Sequence, residues 1–239
     1  MMPVLLVAAA LSSPVPLVPQ VEKQVVVSIT APDLDGGILS EITWDGGLLL
    51  LQGVVVNPDG TMSGRYVVLP SEGVELKHLK EQSEASAKYW TRKSQRLSPT
   101  GMGRITSGAD ASLPMYGVGS LEQRINQSVE MGGMREKTQL LLGRLVLHER
   151  HQQEPPYDGE VWGWSPAELN RIAYVDGKGD LWVASADGSR AQRLLKGDFT
   201  LPAWSEDGAS IAVAERKDNG RRWDITLVHL PEALRTPPR

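Results

Sequence analysis

Short apolar runs separated by turn residues occupy most of the chain. Lys23–Thr30, Ile38–Trp44, Leu48–Val56 and Arg65–Leu69 are rich in Val, Ile and Leu and bounded by Gly, Pro or Asp, so each predicts a strand. Leu48 to Leu51 is a continuous apolar run, which predicts a strand buried on both faces. Leu140 to Leu147 reads as β for the same reason. Asp-Gly recurs at Asp35, Asp45, Asp59, Asp158, Asp176, Asp187 and Asp207, a pair that favours tight type I′ hairpin turns. One segment departs from this rhythm. Between Glu75 and Arg96, Leu76, Leu79, Ser83, Ala87 and Trp90 fall on one helical face, which predicts a helix docked by Trp90 and ended by Pro99 and Gly101. Ser120-x-x-Gln123 is either a capping box with Leu121, Ile125 and Val129 behind it, or part of a strand turning at Gly132-Gly133 into Thr138–Leu142. Glu154-Pro155-Pro156-Tyr157-Asp158-Gly159 breaks regular structure and predicts a boundary.

Beyond that boundary the pattern repeats. Trp164-Ser165-Pro166 and Trp204-Ser205-Glu206-Asp207-Gly208 lie 40 residues apart, and Ile172-Ala173-Tyr174 and Ile211-Ala212-Val213 follow them. A period near 40 with Trp, Gly and β-branched signals indicates propeller blades, which cannot bury their faces alone. With Gly179-Asp180-Leu181-Trp182-Val183 and Trp223-Asp224-Ile225 in register, the segment Glu160–Leu230 resembles the repeats of TolB-like β-propellers. Three departures stand out. Pro166 to Asn170 replaces the family's Pro-Asp-Gly turn, extra residues enter the second copy around Lys217–Arg222, and no Asp-Gly turn follows Asp224, which predicts an incomplete last blade. Thr43-Trp44-Asp45-Gly46-Gly47 echoes the motif faintly.

The expected fold is therefore mainly β and antiparallel, with propeller-like TolB-type repeats in the C-terminal third and an N-terminal β-rich region carrying one or two helices. The expected organisation is a targeting segment at 1–19, a β-rich domain at 20–150 with the helix near 75–96, repeats at 160–231, and a tail at 232–239. The repeated Trp is expected to fill the wedge between blades, where burying the ring contributes roughly 2–3 kcal/mol.

Composition narrows the function more than it names it. A net charge of −4 and a pI near 5.6 argue against nucleic acid as partner. Lack of Cys excludes disulfides, thiolate catalysis and thiolate metal sites. Val4 to Leu11 is an apolar run of eight followed by Ser12-Ser13-Pro14, the outline of a short signal segment without a basic n-region. Export to the periplasm or beyond follows from it, with a cytoplasmic location if that segment is not a signal. No run is long enough for a membrane-spanning helix.

Candidate chemistry is sparse. His148-x-x-His151 lies at a strand end, where residues three apart point to opposite faces, so no metal is expected there. Asp33-x-Asp35-Gly36-Gly37 lacks the further acidic ligands of a calcium loop and reads as a turn. No Gly-x-Ser-x-Gly elbow and no phosphate loop is present. The loop carboxylates Asp33, Asp35, Asp110, Asp158 and Glu160 show no common spacing. These observations imply no cofactor, no metal and no enzyme. The resemblance implies a non-catalytic, exported protein-interaction or scaffold protein, with rim-loop residues Asn170, Arg171, Asp176, Lys178, Lys217, Arg221 and Arg222 as contact candidates. The alternative is a carbohydrate- or peptide-processing hydrolase or lyase using the propeller as its platform. Homodimerisation through an open sheet edge at Asp224–Val228 would be a third way to complete the blades.

Overall fold

A computed structural model describes residues 21–45, 47–69, 77–79, 99–101, 104–108, 126–130, 133–151 and 161–238. The targeting segment, the Ser120-x-x-Gln123 box, Asp110, Asp158, Glu160 and most of the expected helix lie outside them. The chain begins with β1 (Glu22–Thr30), a 3-10 turn at Ala31–Leu34, β2 (Ile38–Asp45), β3 (Leu48–Val56), β4 (Met62–Leu69) and β5 (Lys77–Leu79). β6 (Ile105–Gly108), β7 (Asn126–Glu130), β8 (Gly133–Leu142) and β9 (Leu145–His151) follow. The C-terminal part comprises β10 (Trp162–Trp164), β11 (Arg171–Val175), β12 (Leu181–Ser185), β13 (Gln192–Leu195), β14 (Phe199–Trp204), β15 (Ser210–Lys217) and β16 (Arg222–His229).

These strands form four sheets: β2-β3-β4-β5, β6-β8-β7 with β9 on the other edge of β8, β10-β11-β12-β13, and β1-β16-β15-β14. All described pairings are antiparallel. The fold is mainly β and propeller-like, built of small antiparallel sheets packed one against the next. β14 packs against β2 on one side and against β10 and β11 on the other. Its sheet is thereby flanked by two apolar cores. One joins Trp204, Ile211 and Val213 to Ile172, Tyr174 and Val183; the other joins Leu201, Ala203 and Ile225 to Leu39, Ile42 and Leu51.

Three expectations are corrected. Glu22–Thr30, placed with the N-terminal region, is the fourth strand of the C-terminal sheet, in register from Glu22↔His229 to Thr30↔Arg222. The last repeat is therefore complete. Its missing strand comes from the other end of the chain, and the Asp224–Val228 edge is already paired rather than open to a second copy. Lys77–Leu79, expected in a helix, is β5, hydrogen-bonded to Tyr66–Val68; pairing along an existing sheet edge overrides a local 3.6-residue period. Of the two readings left open for the stretch before it, the strand is the one found: Gly133–Leu142 pairs with β7.

Asp35 and Gly36 both take positive φ, at 52° and 84°, as the pair predicts, but three other Asp-Gly turns differ from type I′. Gly60, Gly188 and Gly208 have positive φ of 81°, 82° and 67°, while their Asp partners do not. Each of those Asp residues instead accepts from the backbone N–H two positions on, in Thr61, Ser189 or Ala209, at 2.8–2.9 Å. The carboxylate organises the turn and the glycine alone takes the left-handed geometry.

Candidate functional site

The repeat motif is first a joint. Trp164 stands opposite Ile172, Trp204 opposite Ile211, and Trp44 opposite Leu49, each across the first strand pair of its sheet. Trp204 Nε1 donates to the carbonyl of Gly163 at 3.0 Å, and Trp44 Nε1 donates to that of Ala203 at 3.2 Å. Each acceptor is the residue just before the preceding sheet's own Trp. The indole therefore does two things: it fills the wedge and ties its N–H to the neighbouring first strand. Gly163 lets the strands approach this closely, since a Cβ there would stand 2.3 Å from Pro202 O. The Ser after the Trp closes the hairpin. Ser165 Oγ accepts from Arg171 N and Ser205 Oγ from Ser210 N, both at 2.9 Å. Trp162 and Trp223 are buried, and Trp182 is stacked on Tyr174 with its Nε1 donating to Asp176 at 2.9 Å. Trp162 and Trp223 are enclosed in the fold, while Trp182 is partly buried.

Because neighbouring strands alternate in direction, the turns divide between two ends of the assembly. Turns 176–180 and 218–221 and the connection 196–198 share one end: Phe199 N donates to Gly179 O at 2.9 Å, and Arg216 N donates to Asp198 O at 2.8 Å. Turns 165–170, 186–191 and 205–209 occupy the other, where Ala186 N donates to Asn170 O at 2.9 Å. The C-terminal segment after β16 covers part of this second end.

At the first end the carboxylates are engaged within the fold. Asp176 Oδ1 accepts from Lys178 N and Asp180 N at 2.9 and 3.0 Å, which fixes the turn. Asp180 is buried, pairs with Arg193 at 3.0 Å and accepts from Gly197 N at 3.1 Å. Asp198 pairs with Arg216 and Glu215 with Lys217, both at 2.6 Å. The hydrogen bond to Glu215 raises the Lys217 ammonium above the ordinary lysine range. Arg222 lies 3.3 Å from both Asp218 and Asp224. Lys178, Lys196 and Arg221 are exposed and, among the described residues, in no ion pair. Among the described residues, this end of an acidic chain thus shows three free cations.

The contact candidates fall into three groups. Lys178 and Arg221 are displayed; Asp176, Lys217 and Arg222 shape the same end but spend their charges internally. Asn170 and Arg171 lie at the opposite end. Asn170 adopts φ 51° and takes a hydrogen bond from Thr100 Oγ1 at 2.6 Å. Arg171 is not a rim loop residue at all, being 6% exposed as the first residue of β11. The reason is the register: Ser165 closes its hairpin onto the Arg171 backbone, which carries that side chain inward under the C-terminal segment. Lys196 was missed because its connection carries no Asp-Gly signal, although it lies where a second repeat copy must begin. Asp33, a loop-carboxylate candidate, accepts from Thr30 N and Thr30 Oγ1 at 2.7 Å and serves as a turn cap. His148 Nδ1 lies 3.0 Å from Val175 O, a contact between sheets.

No protein-family profile matches the chain, and no curated protein matches it in sequence. Solved structures with a similar arrangement include the β-propeller domain of the Trilobed protease from Pyrococcus furiosus, at 10% identity and a TM-score of 0.17, covering 74% of this chain and 33% of that one. A Pyrococcus horikoshii acylaminoacyl peptidase is similar at 14% identity and a TM-score of 0.24, over 80% of this chain and 31% of that one. Chaetomium thermophilum Sqt1, solved bound to the N-terminus of ribosomal protein L10, is similar at 15% identity and a TM-score of 0.21, over 84% and 52%. The chain spans about a third of the length of the two peptidase structures. At such identity and overlap these likenesses say nothing about chemistry, and the architecture rests on the strand pairings themselves. Among the described residues, no helix is long and apolar enough to cross a membrane.

Proposed function

We propose that the chain is a non-catalytic, exported scaffold, built on TolB-like propeller repeats, that binds a protein partner through the end bearing Lys178, Lys196 and Arg221. The observation that carries this reading is the division of charge at that end. Carboxylates are consumed in turns and ion pairs, whereas three cations stand free on turns held rigid by those same carboxylates. Rigid presentation lowers the ordering cost of docking, and unpaired cations steer an acidic surface toward it. Export rests on the apolar run at Val4–Leu11; a mature chain beginning near residue 20, read by intact mass, is the expected outcome.

A photo-crosslinking side chain placed at position 178 or 221 tests the surface, with position 206 at the opposite end as the control. In an envelope extract of the source organism, one discrete adduct is expected from 178 and 221, absent from 206 and lost when Lys196→Glu is added. Adducts of equal yield from all three positions, or none from 178 and 221, would refute the assignment.

A further inference from the structure

Arg171 is a buried cation with no counter-ion among the described residues. It is 6% exposed, yet among the described residues no carboxylate pairs with it. Its Nη2 donates only to two neutral carbonyls, Ala233 O at 3.2 Å and Thr236 O at 3.0 Å, and its Nε is buried with no partner. Arg190, on the adjoining turn, adds a charge of the same sign. A guanidinium so placed bears the desolvation penalty of burial with little return, which is the circumstance in which an anion gains most.

What covers Arg171 is slight. The segment Pro231–Thr236 is a single 3-10 turn, and of its side chains only Leu234 is buried, in the core beside Leu169 and Trp204. The segment carries one charge of each sign, Glu232 and Arg235, and Arg235 Nε donates to Leu230 O at 2.6 Å and leaves its charge near Asp207. The tail therefore offers Arg171 carbonyl oxygens and no carboxylate.

We propose that Arg171 and Arg190 form a carboxylate-binding site for an acidic peptide segment, which the C-terminal tail occupies in cis. A carboxylate presents two coplanar oxygens that match the Nε and Nη2 donors of one guanidinium edge, the pair that the tail carbonyls satisfy only in part. An apolar residue beside the acid would take the Leu234 seat. The incoming segment must therefore combine acid and leucine-like character, and the tail acts as an autoinhibitory strap. This site is at the opposite end from Lys178 and Arg221, so it stands or falls independently of them.

The test uses the full chain and a fluorescein-labelled Glu-Glu-Leu-Glu-Glu peptide, read by anisotropy at low salt. Leu234→Ser loosens the tail without touching the guanidinium. It should bind the peptide at least about tenfold more tightly than the parent, a difference of about 1.4 kcal/mol. Adding Arg171→Gln should remove that gain, and so should adding Arg190→Glu, which changes only an exposed side chain and covers the case in which Arg171→Gln does not fold. Equal affinity for parent and Leu234→Ser, or binding that survives both arginine substitutions, would overturn the proposal. So would the absence of binding by Leu234→Ser with native circular dichroism.

Discussion

The sheet β10-β11-β12-β13 and its neighbour β14-β15-β16-β1 carry the same motif and are completed in different ways. The first is continuous chain from Trp162 to Leu195. The second takes its fourth strand from Glu22–Thr30, and the Ser28–Asp224 hydrogen bond at 2.6 Å joins residues 196 positions apart. The repeat thus specifies the inner strands and their joints, whereas the outer strand needs only an alternating pattern and an available edge. β1 meets that requirement with Ile29 fully buried and Val27 nearly so, while Glu22 to Val25 remain exposed. Closing a long loop adds little entropy cost per residue, so the chain can join its distant ends in one sheet. The shared sheet then ties the first strand of the chain to the last.

This contrast can be broken most severely at the joint the two sheets share. Trp204→Ala removes a buried ring and its bond to Gly163, and should cost about 4 kcal/mol in urea denaturation, with both sheets loosened together. Ile29→Ala should cost about 3 kcal/mol and act on one side only. Hydrogen exchange should quicken in Asp224–Val228 and stay slow in Ile172–Val175; equal acceleration in both would show that the two sheets open as a unit. Gly163→Ala should cost about 2 kcal/mol by pressing a methyl group on Pro202 O, whereas Ala203→Gly, at the same place in the next joint, should cost about 1 kcal/mol. The smallest effect belongs to the turns. Hydrogen bonds from Ser205 and the Ala209 backbone hold the Asp207 carboxyl below the usual range, and those from Ser189 do the same for Asp187. A lowered folded-state value means stability present above the unfolded value and lost as pH falls through the folded one. Thermal stability should therefore be flat above about pH 5 and fall below about pH 4, and Asp207→Asn should cost only about 0.5 kcal/mol because the side chain is solvent-screened.

Legibility along the chain followed the range of the forces involved. The strands of residues 23–69 and the two motif copies could be read because each rests on nearby residues: apolar runs, Asp-Gly punctuation and the distance from Trp to its Ile partner. Thr43-Trp44 gave only a faint echo, since a five-residue spacing from Trp44 to Leu49 replaces the longer one in the other copies. Yet Trp44 makes the same bond as Trp204. The candidate site was half legible. Lys178 and Arg221 sit in turns that sequence marks plainly, whereas Lys217 and Arg222 have carboxylates two to four residues away, Glu215, Asp218 and Asp224, which take up their charges; sequence alone does not tell whether such near neighbours will meet.

By itself the sequence determined that the chain is mainly β, where most of its hairpins turn, and that a Trp recurs ahead of an Ile-Ala strand in two copies, because those features are set over a few residues by sterics and periodicity. Tertiary structure alone decided that β1 completes the last sheet, that Lys77–Leu79 pairs as a strand, and that Arg171 is buried beneath the tail while Lys178 stays in solvent. Each of those outcomes depends on which distant edge, carbonyl or carboxylate arrives opposite a residue, and that is settled by packing the whole chain.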